Sequence, residues 1–509
     1  MINRVNSIKF SEYTHENGGR VLLLFLLFLL AIYEFVTAGF STFAIICILP
    51  LIVLAIYIAF RWKMSCFWML ITINYFIQMK DISIPIPLSL PNEMLQLILL
   101  AIAVIDARQN PHFERAANMM LLALMIWCGF CTLELLNDTC NLGIDAALWY
   151  NGARLMAFQI LFIFLVFIIY ISSPEILIKY LKIWAIFSLF SVYWTWKQQN
   201  LGFTAAENSW LQTRGRSTHL LNAGTLIRYF STFSDAANYG CNAAASAVAF
   251  IIIAITSKIK REKIFYAIVS VAVIWGMFQS GTRTAIFCLG AGLLLYVFLS
   301  KSIKIAVPFS IAFAFFAFIL IFTNIGNGNQ QIRRMRSAFK KDDASANVRD
   351  LNKQAIAKYI KDAPWGIGLG MGYNVPANNK YAKLATIPPD SEYVYIWIRT
   401  GPIGITIFVI TTIIMFIGAC QVVLFRLKNK SLIGVGGGLC GAFVAIQLGG
   451  YANQVLMQIP NCLIFYGGLA IVYVLPYIEP EWNKYEDKRF AEQEERKRLK
   501  LEKKLASRV

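Results

Sequence analysis

The sequence predicts an all-α integral membrane protein of about fourteen transmembrane helices (twelve to fourteen), with a large, partly helical external loop before the last three. Three observations carry that expectation. The chain of 509 residues is 58% hydrophobic, where soluble domains run at roughly 45–50%. Its apolar runs repeatedly approach the roughly 18–20 residues that cross a bilayer. Its basic residues gather on one side of those runs.

In chain order the runs are 21–38, 40–60, 64–79, 93–106, 117–136, 152–171, 180–197, 236–256, 263–280, 284–300, 303–323, 393–425, 431–452 and 461–477. No small-residue cleavage pattern follows the first, so it reads as a membrane helix rather than a removable leader. Pro85, Pro87 and Pro91 mark a tight crossing between the third and fourth. With the N-terminus in the cytoplasm, the short cytoplasmic segments hold 18 basic residues: Arg4, Lys9, Arg20, Arg61, Lys63, Arg108, Arg115, Lys179, Lys182, Lys258, Lys260, Arg261, Lys263, Lys301, Lys304, Arg426, Lys428 and Lys430. The short segments opposite hold two, Lys80 and Arg283. That is the asymmetry of the positive-inside rule. It places both termini in the cytoplasm and explains the net charge of +19 without a nucleic-acid partner.

The layout is then an N-terminal segment (1–20), eleven helices (21–323) with an external loop at 198–235, a long external loop (324–390), three helices (391–478) and a charged tail (479–509). The tail mixes ten basic with eight acidic residues and reads as a solvated helix at the membrane surface. The halves show no internal repeat and no matched pair of Gly/Pro-broken spans, the usual pointer to a transporter.

Every cysteine but Cys140 lies in an apolar span, and Cys128 and Cys131, though spaced C-x-x-C, read as small core residues of a membrane helix. His15, His112 and His219 have no partners at zinc-ligand spacing. No metal and no cofactor are expected.

Polar chemistry collects outside. Glu34, Glu134, Arg154, Asp235 and Arg399 are ionisable groups within spans, where such groups are costly. Glu134, Arg154 and Asp235 sit near external ends, where snorkelling lowers the cost. The loop 198–235 carries Arg214, Arg216, His219 and Arg228. In Gln279–Phe287, Ser280 and Gly281 break one helix and Thr282 or Thr284 caps the next. This brings Arg283 beside free backbone N–H groups, an arrangement suited to anions. The loop 324–390 holds eleven basic residues against five acidic ones. A long loop is exempt from the positive-inside rule, so this excess fits an anionic ligand. Within it, 347–361 reads as an amphipathic helix with the stripe Val348, Leu351, Ala355, Ile356, Tyr359 and Ile360, and Arg349 in its first turn. Pro364 and Gly366 stop it. Gly366–Gly372 follows a helix rather than a strand, which excludes a dinucleotide fingerprint and suits a backbone packed closely on a ligand or a helix. Asp390, Ser391 and Glu392 stand where the chain re-enters the membrane. A carboxylate there is either a helix cap or a general base at a site lined by arginine.

In this order the motifs resemble the O-antigen ligase and polymerase superfamily of bacterial envelope enzymes, over roughly Arg228 to Gly404. The resemblance rests on Arg228 before Ser231-Thr232-Phe233, on Ser280–Arg283, on an Arg349-led helix ending in Pro364, Gly366, Gly368 and Gly370, and on Asp390-Ser391 ahead of Gly401 and Gly404. It implies a metal-independent glycosyltransferase at the periplasmic face of the inner membrane. The donor would be an oligosaccharide on undecaprenyl diphosphate, and the acceptor a glycan or glycolipid. Arg283, Arg349 and Asp390 would be catalytic, with Arg228, Arg214, Arg216, Ser280, Glu392 and Arg399 binding substrate. Ligases of the family commonly carry His-Asn where this chain has Asp390-Ser391. The difference favours a polymerase, with a ligase as the alternative. The reading of another class is a lipid-linked glycan transporter.

Overall fold

A computed structural model describes residues 18–38, 57, 61–82, 87–106, 112–221, 226–301, 303–328, 330–337, 344–371 and 375–506. Two compact units divide the chain at Cys66/Phe67. In the first, α1 (Gly18–Ala38) is an apolar helix with Leu22, Leu23, Phe25 and Phe28 exposed.

Among the described residues the second unit is all-α but for one hairpin of two-residue strands. The helix α2 (Lys63–Phe76) spans the boundary, and the long helices that follow are α3 (Leu90–Ile105), α4 (Met119–Leu133), α5 (Ala146–Tyr170, with a π turn at Arg154–Phe158), α6 (Pro174–Asn200), α7 (Ala236–Thr256), α8 (Lys260–Gln279), α9 (Thr284–Leu299) and α10 (Ile303–Phe322). Two amphipathic helices follow, α11 (Gln330–Ser337) and α12 (Ala344–Ile360), then α13 (Glu392–Gln421), α14 (Lys430–Ala452) and α15 (Gly467–Ala506). Helix starts are set by side-chain caps: Asn118 for α4, Ser173 ahead of Pro174 for α6, Asp235 for α7, Ser391 for α13 and Asn429 for α14.

Among the described residues, eight helices are long and apolar enough to cross a membrane. Five more, α1, α2, α3, α9 and α10, stand at the first, third, fourth, tenth and eleventh expected runs. The expected run 40–60 lies almost entirely outside the described residues. The chain is thus a multi-pass all-α membrane protein.

The most deeply buried helices are α7, α14 and the first half of α15. Small residues let them meet backbone to backbone, as membrane helices require. A Cβ on Gly292 of α9 would come within 2.6 Å of the Gly441 carbonyl of α14. Asn238 and Asn242 of α7 bond Asn461, which keeps these buried amides paired.

The C-terminal charged segment does not stand apart. The helix continues through Pro476 and Pro480 to Ala506. Glu486 is buried, accepting from Lys258 Nζ at 2.7 Å and Ser431 Oγ at 2.7 Å, and Trp482 donates to Ser431. The first part of the tail is therefore packed rather than solvated.

The segment 344–398 has its own core, in which Ile356, Ile360, Ile367, Met371, Tyr381, Leu384, Val394 and Ile398 gather around Cys140. The helix expected at 347–361 is present as α12, but begins at Ala344, so Arg349 lies in its second turn. Its buried face is narrower than the expected stripe: Ile356 and Ile360 are buried, whereas Val348 and Leu351 are exposed. The glycine-rich stretch packs on a helix. Pro402 has no N–H to offer Ile398, and Gly401 leaves the helical conformation (φ 65°, ψ −174°). The two carbonyls thus freed, Ile398 and Arg399, accept from Ile367 N–H and Gly368 N–H, each at 3.0 Å.

Candidate functional site

Four segments remote in sequence meet at one end of α7. The first is the turn between α8 and α9. Gly281, at φ 58°, reverses the chain. Ser280 Oγ accepts from Thr282 N–H at 3.1 Å and donates to Met277 O at 2.7 Å. Thr282 Oγ1 donates to Ala236 O at 2.7 Å. Thr282 therefore ties the turn to α7 rather than capping α9, and the N-cap position of α9 is Arg283 itself.

The second segment is the hairpin of β1 (Leu220–Leu221) and β2 (Leu226–Ile227), which delivers Arg228. Its guanidinium donates to Ser280 O at 3.3 Å, Thr218 O at 3.0 Å and Thr282 Oγ1 at 3.1 Å. Burial is the largest influence on Arg228 and holds it below the usual arginine value. Asp235 opposes that shift, and Arg283 and Arg349 add to it. The third is α11, where Gln331 and Arg334, three residues apart, share a face. Gln331 Nε2 donates to Ile227 O at 2.9 Å and Arg334 Nε to Gly281 O at 2.7 Å. Arg333 and Arg336 turn the other way and close the end of α10 through Asn327 and Ile325. The fourth is α12, carrying Arg349.

Together with the end of α14 these segments enclose a cavity of about 310 Å³. Its polar wall is Arg228, Arg283, Arg334, Arg349, Thr282, Thr284 and Asn453, and its apolar wall is Phe287, Leu448, Tyr451 and Ala452. Among the described residues, four arginines and no carboxylate line it. The nearby Asp235 is engaged as the α7 cap, accepting from Ala237 and Asn238 N–H. Guanidinium groups bind phosphate oxygens in pairs and stay charged at any physiological pH.

The structure thus brings Arg228, Arg283 and Arg349 to one cavity, with Ser280 supporting the turn beneath it. Arg334 joins them. The sequence displays it only within a run of basic residues, and its one distinguishing mark is the helical spacing to Gln331. Arg214 and Arg216 are exposed and do not line the cavity. Arg399 bonds Met371 O, lies 5.1 Å from the Tyr395 ring and does not line the cavity. Asp390 is not the helix cap: Ser391 is, its side chain accepting from Val394 N–H at 3.2 Å. The Asp390 carboxylate instead accepts from Asn352 Nδ2 at 2.7 Å, and does not itself line the arginine cavity. Glu392 is buried, with Leu456 N–H donating to it at 3.1 Å. Arg154 pairs with Glu93 at 3.0 Å, and Glu134 accepts from Asn137 at 2.7 Å, so both are held within the bundle. The side chain of Glu34 and residue His15 lie outside the described residues. Among the described residues no group of three His, Cys, Asp or Glu could hold a metal ion.

Residues 268–409 match the model of the family described as O-antigen ligase. They run from α8 to the middle of α13, and include Arg283, Arg334, Arg349 and Asp390. No curated protein matches the chain.

Proposed function

We propose that this chain, which belongs through residues 268–409 to the O-antigen ligase/polymerase superfamily, transfers glycan from undecaprenyl diphosphate to a sugar hydroxyl on the periplasmic face of the inner membrane. One observation carries the reading: four arginines from four separate segments line one cavity. A diphosphate suits guanidinium groups gathered in this way, and the apolar wall of Phe287, Leu448 and Ala452 suits the start of a polyprenyl chain.

In the proposed reaction the acceptor hydroxyl oxygen attacks the anomeric carbon of the donor glycan. A new carbon–oxygen bond forms while the bond from that carbon to the diphosphate oxygen breaks. The electron pair leaves on the diphosphate, where Arg228, Arg283, Arg334 and Arg349 offset the growing charge. The hydroxyl proton passes to Asp390. Asp390 follows the lining only by adjacency, since Asn352 holds it to the helix that carries Arg349.

The periplasmic placement is supported by the charge asymmetry of the short segments and by the cavity's position at the Asp235 end of α7. The Lys258–Glu486 pair marks the other end of that helix. Twenty-one residues separate the two ends by about 30 Å. The Asp390-Ser391 pair, in place of the His-Asn common in ligases, favours a polymerase that joins one lipid-linked repeat to another. Attachment to a lipid A-core acceptor is the alternative.

The test is a polysaccharide gel from cells carrying Arg283→Ala, Arg349→Ala or Asp390→Ala. Each variant is expected to lose long glycan while the protein remains in the membrane. Normal ladders from all three would remove the proposal. Accumulation of single repeats on the lipid carrier marks a polymerase; complete chains left on the carrier mark a ligase.

A further inference from the structure

A second cavity, of about 300 Å³, lies beside the arginine cavity and has the opposite chemistry. Among the described residues, five amides line it, Gln78, Asn151, Gln159, Gln454 and Gln458, with the carboxylate of Glu392 and no Lys or Arg. The side of the Tyr395 ring forms part of the wall, and the Arg399 guanidinium lies 5.1 Å from that ring. Gln159 is 1% exposed, yet neither its amide nitrogen nor its oxygen has a hydrogen-bond partner in the protein. Leaving a buried amide unpaired is costly, because the group has given up water without a replacement. A side chain kept in that state is suited to a ligand that both donates and accepts.

The two cavities share a partition. Asn453 lines the first and Gln454 the second. Glu392 N–H donates to Asn453 O at 3.4 Å, and Gln454 Nε2 donates to Pro389 O. The stretch 389–392, with Asp390 inside it, is thereby fastened along the wall between an anion cavity and an amide cavity.

We infer that the second cavity is a sugar subsite, which takes one uncharged, hydroxyl-rich ring of the glycan while the arginine cavity takes the diphosphate. Ring hydroxyls donate and accept at once, as the Gln159 amide requires, and the apolar face of a pyranose fits against Tyr395. A site built to bond hydroxyls discriminates strongly against ligands that lack them. The ring belongs either to the donor repeat or to the acceptor repeat. The inference rests on the glycosyl-transfer reading for the identity of its ligand, but not for the chemistry of the cavity.

The experiment uses the full chain in nanodiscs with two probes: undecaprenyl diphosphate, and the repeat oligosaccharide released by mild acid from the producing cell's own polysaccharide. Binding is followed by tryptophan fluorescence. Gln159→Leu and Gln458→Leu keep side-chain size and remove the amide, and each is expected to weaken oligosaccharide binding at least 10-fold without changing undecaprenyl diphosphate binding. Arg349→Ala is expected to do the reverse. A thermal melt equal to the parent's confirms that the variants fold, and agreement between the two glutamine variants guards against a local defect in either. If the oligosaccharide binds together with the lipid-linked repeat, the ring is the acceptor's; if those two compete, it is the donor's. Unchanged oligosaccharide affinity in both glutamine variants overturns the inference and leaves a water-filled cavity. Should Gln159-dependent sugar binding coexist with normal ladders from the arginine and Asp390 variants, the subsite stands and the proposed reaction falls.

Discussion

Asn352 donates a 2.7 Å hydrogen bond to the Asp390 carboxylate, and it lies three residues after Arg349 on the same helix. The proposed base and one of the four cavity arginines are thus positioned by a single element. A hydrogen bond to a charged group is worth about 1.5–3 kcal/mol, equivalent to roughly 10- to 100-fold in rate. Asn352→Ala is expected to lower kcat by that factor and to leave KM for the lipid-linked donor unchanged, because the diphosphate contacts remain. Asn352→Asp sets a second carboxylate against the first and is expected to fall further. If both variants change KM and leave kcat intact, Asn352 does not position the base.

Arg228 and Arg349 line the same cavity but differ in what else they do. Arg228 makes three hydrogen bonds that join the hairpin, the 280–282 turn and Thr218. A lysine has no planar fork to replace them. Arg228→Lys is expected to lower Tm by several degrees and to abolish long glycan. Arg349 reaches the cavity from the second turn of α12, and Arg349→Ala is expected to abolish long glycan with Tm within about a degree of the parent. Differential scanning fluorimetry in detergent, run beside the glycan gel, separates the two. Equal losses of Tm would place Arg349 in the scaffold.

The helices were legible because a bilayer demands long apolar runs and one-sided charge, and both survive in the sequence without knowledge of packing. The loop was legible in period but not in face. Val348 and Leu351 fit a helical stripe, yet the contact is made by Ile356 and Ile360 because Tyr381, Leu384 and Val394 return to that side alone. Among Arg333, Arg334 and Arg336, residue type says nothing about which one turns inward; that is decided by the turn carbonyl at Gly281, some fifty residues earlier. The role of Ser391 was hidden for a similar reason. Asp390 and Ser391 are both capping residue types, and the geometry of the chain arriving from Pro389 selects the serine. Arg214 and Arg216 read like Arg228 in the sequence. Only Arg228 follows a strand that aims it at the cavity.

His219 links the loop 198–235 to α7. Ala236 N–H donates to its Nε2 at 3.0 Å, and Nδ1 lies 2.8 Å from Thr218 Oγ1. The neutral ring therefore carries its proton on Nδ1. Burial, and next the Arg228 charge, push its pKa down from 6.5 to about 4, with Asp235 opposing. Between those values the unfolded chain binds the proton and the folded chain does not, so stability rises with pH across the window. At about 1.4 kcal/mol per pH unit the full effect is on the order of 3 kcal/mol, present above pH 6.5 and lost as the pH falls toward 4. Thermal melts between pH 4 and 7 are expected to show this slope in the parent and a shallower one in His219→Gln. Parallel slopes would mean that other groups govern acid unfolding.

The kink at Gly401 is expected to be the most sensitive backbone position outside the cavity. Its φ of 65° is left-handed, and a Cβ there would stand 2.2 Å from the Pro364 carbonyl oxygen. Left-handed backbone costs a non-glycine residue about 1–2 kcal/mol before any clash. The collision would also press Pro364 away from α13, and with it the bonds from Ile367 and Gly368 to Ile398 and Arg399. Those bonds anchor the segment that follows α12, so losing them loosens the support of both Arg349 and Asn352. Gly401→Ala is expected to lower Tm by several degrees, to expose 361–371 to limited proteolysis, and to reduce glycan length through both a lower kcat and weaker undecaprenyl diphosphate binding. The same substitution at Gly328, where a Cβ meets nothing within 4 Å, is expected to have none of these effects. If Gly401→Ala keeps the parent's cleavage pattern and ladder, the kink does not hold the loop in place.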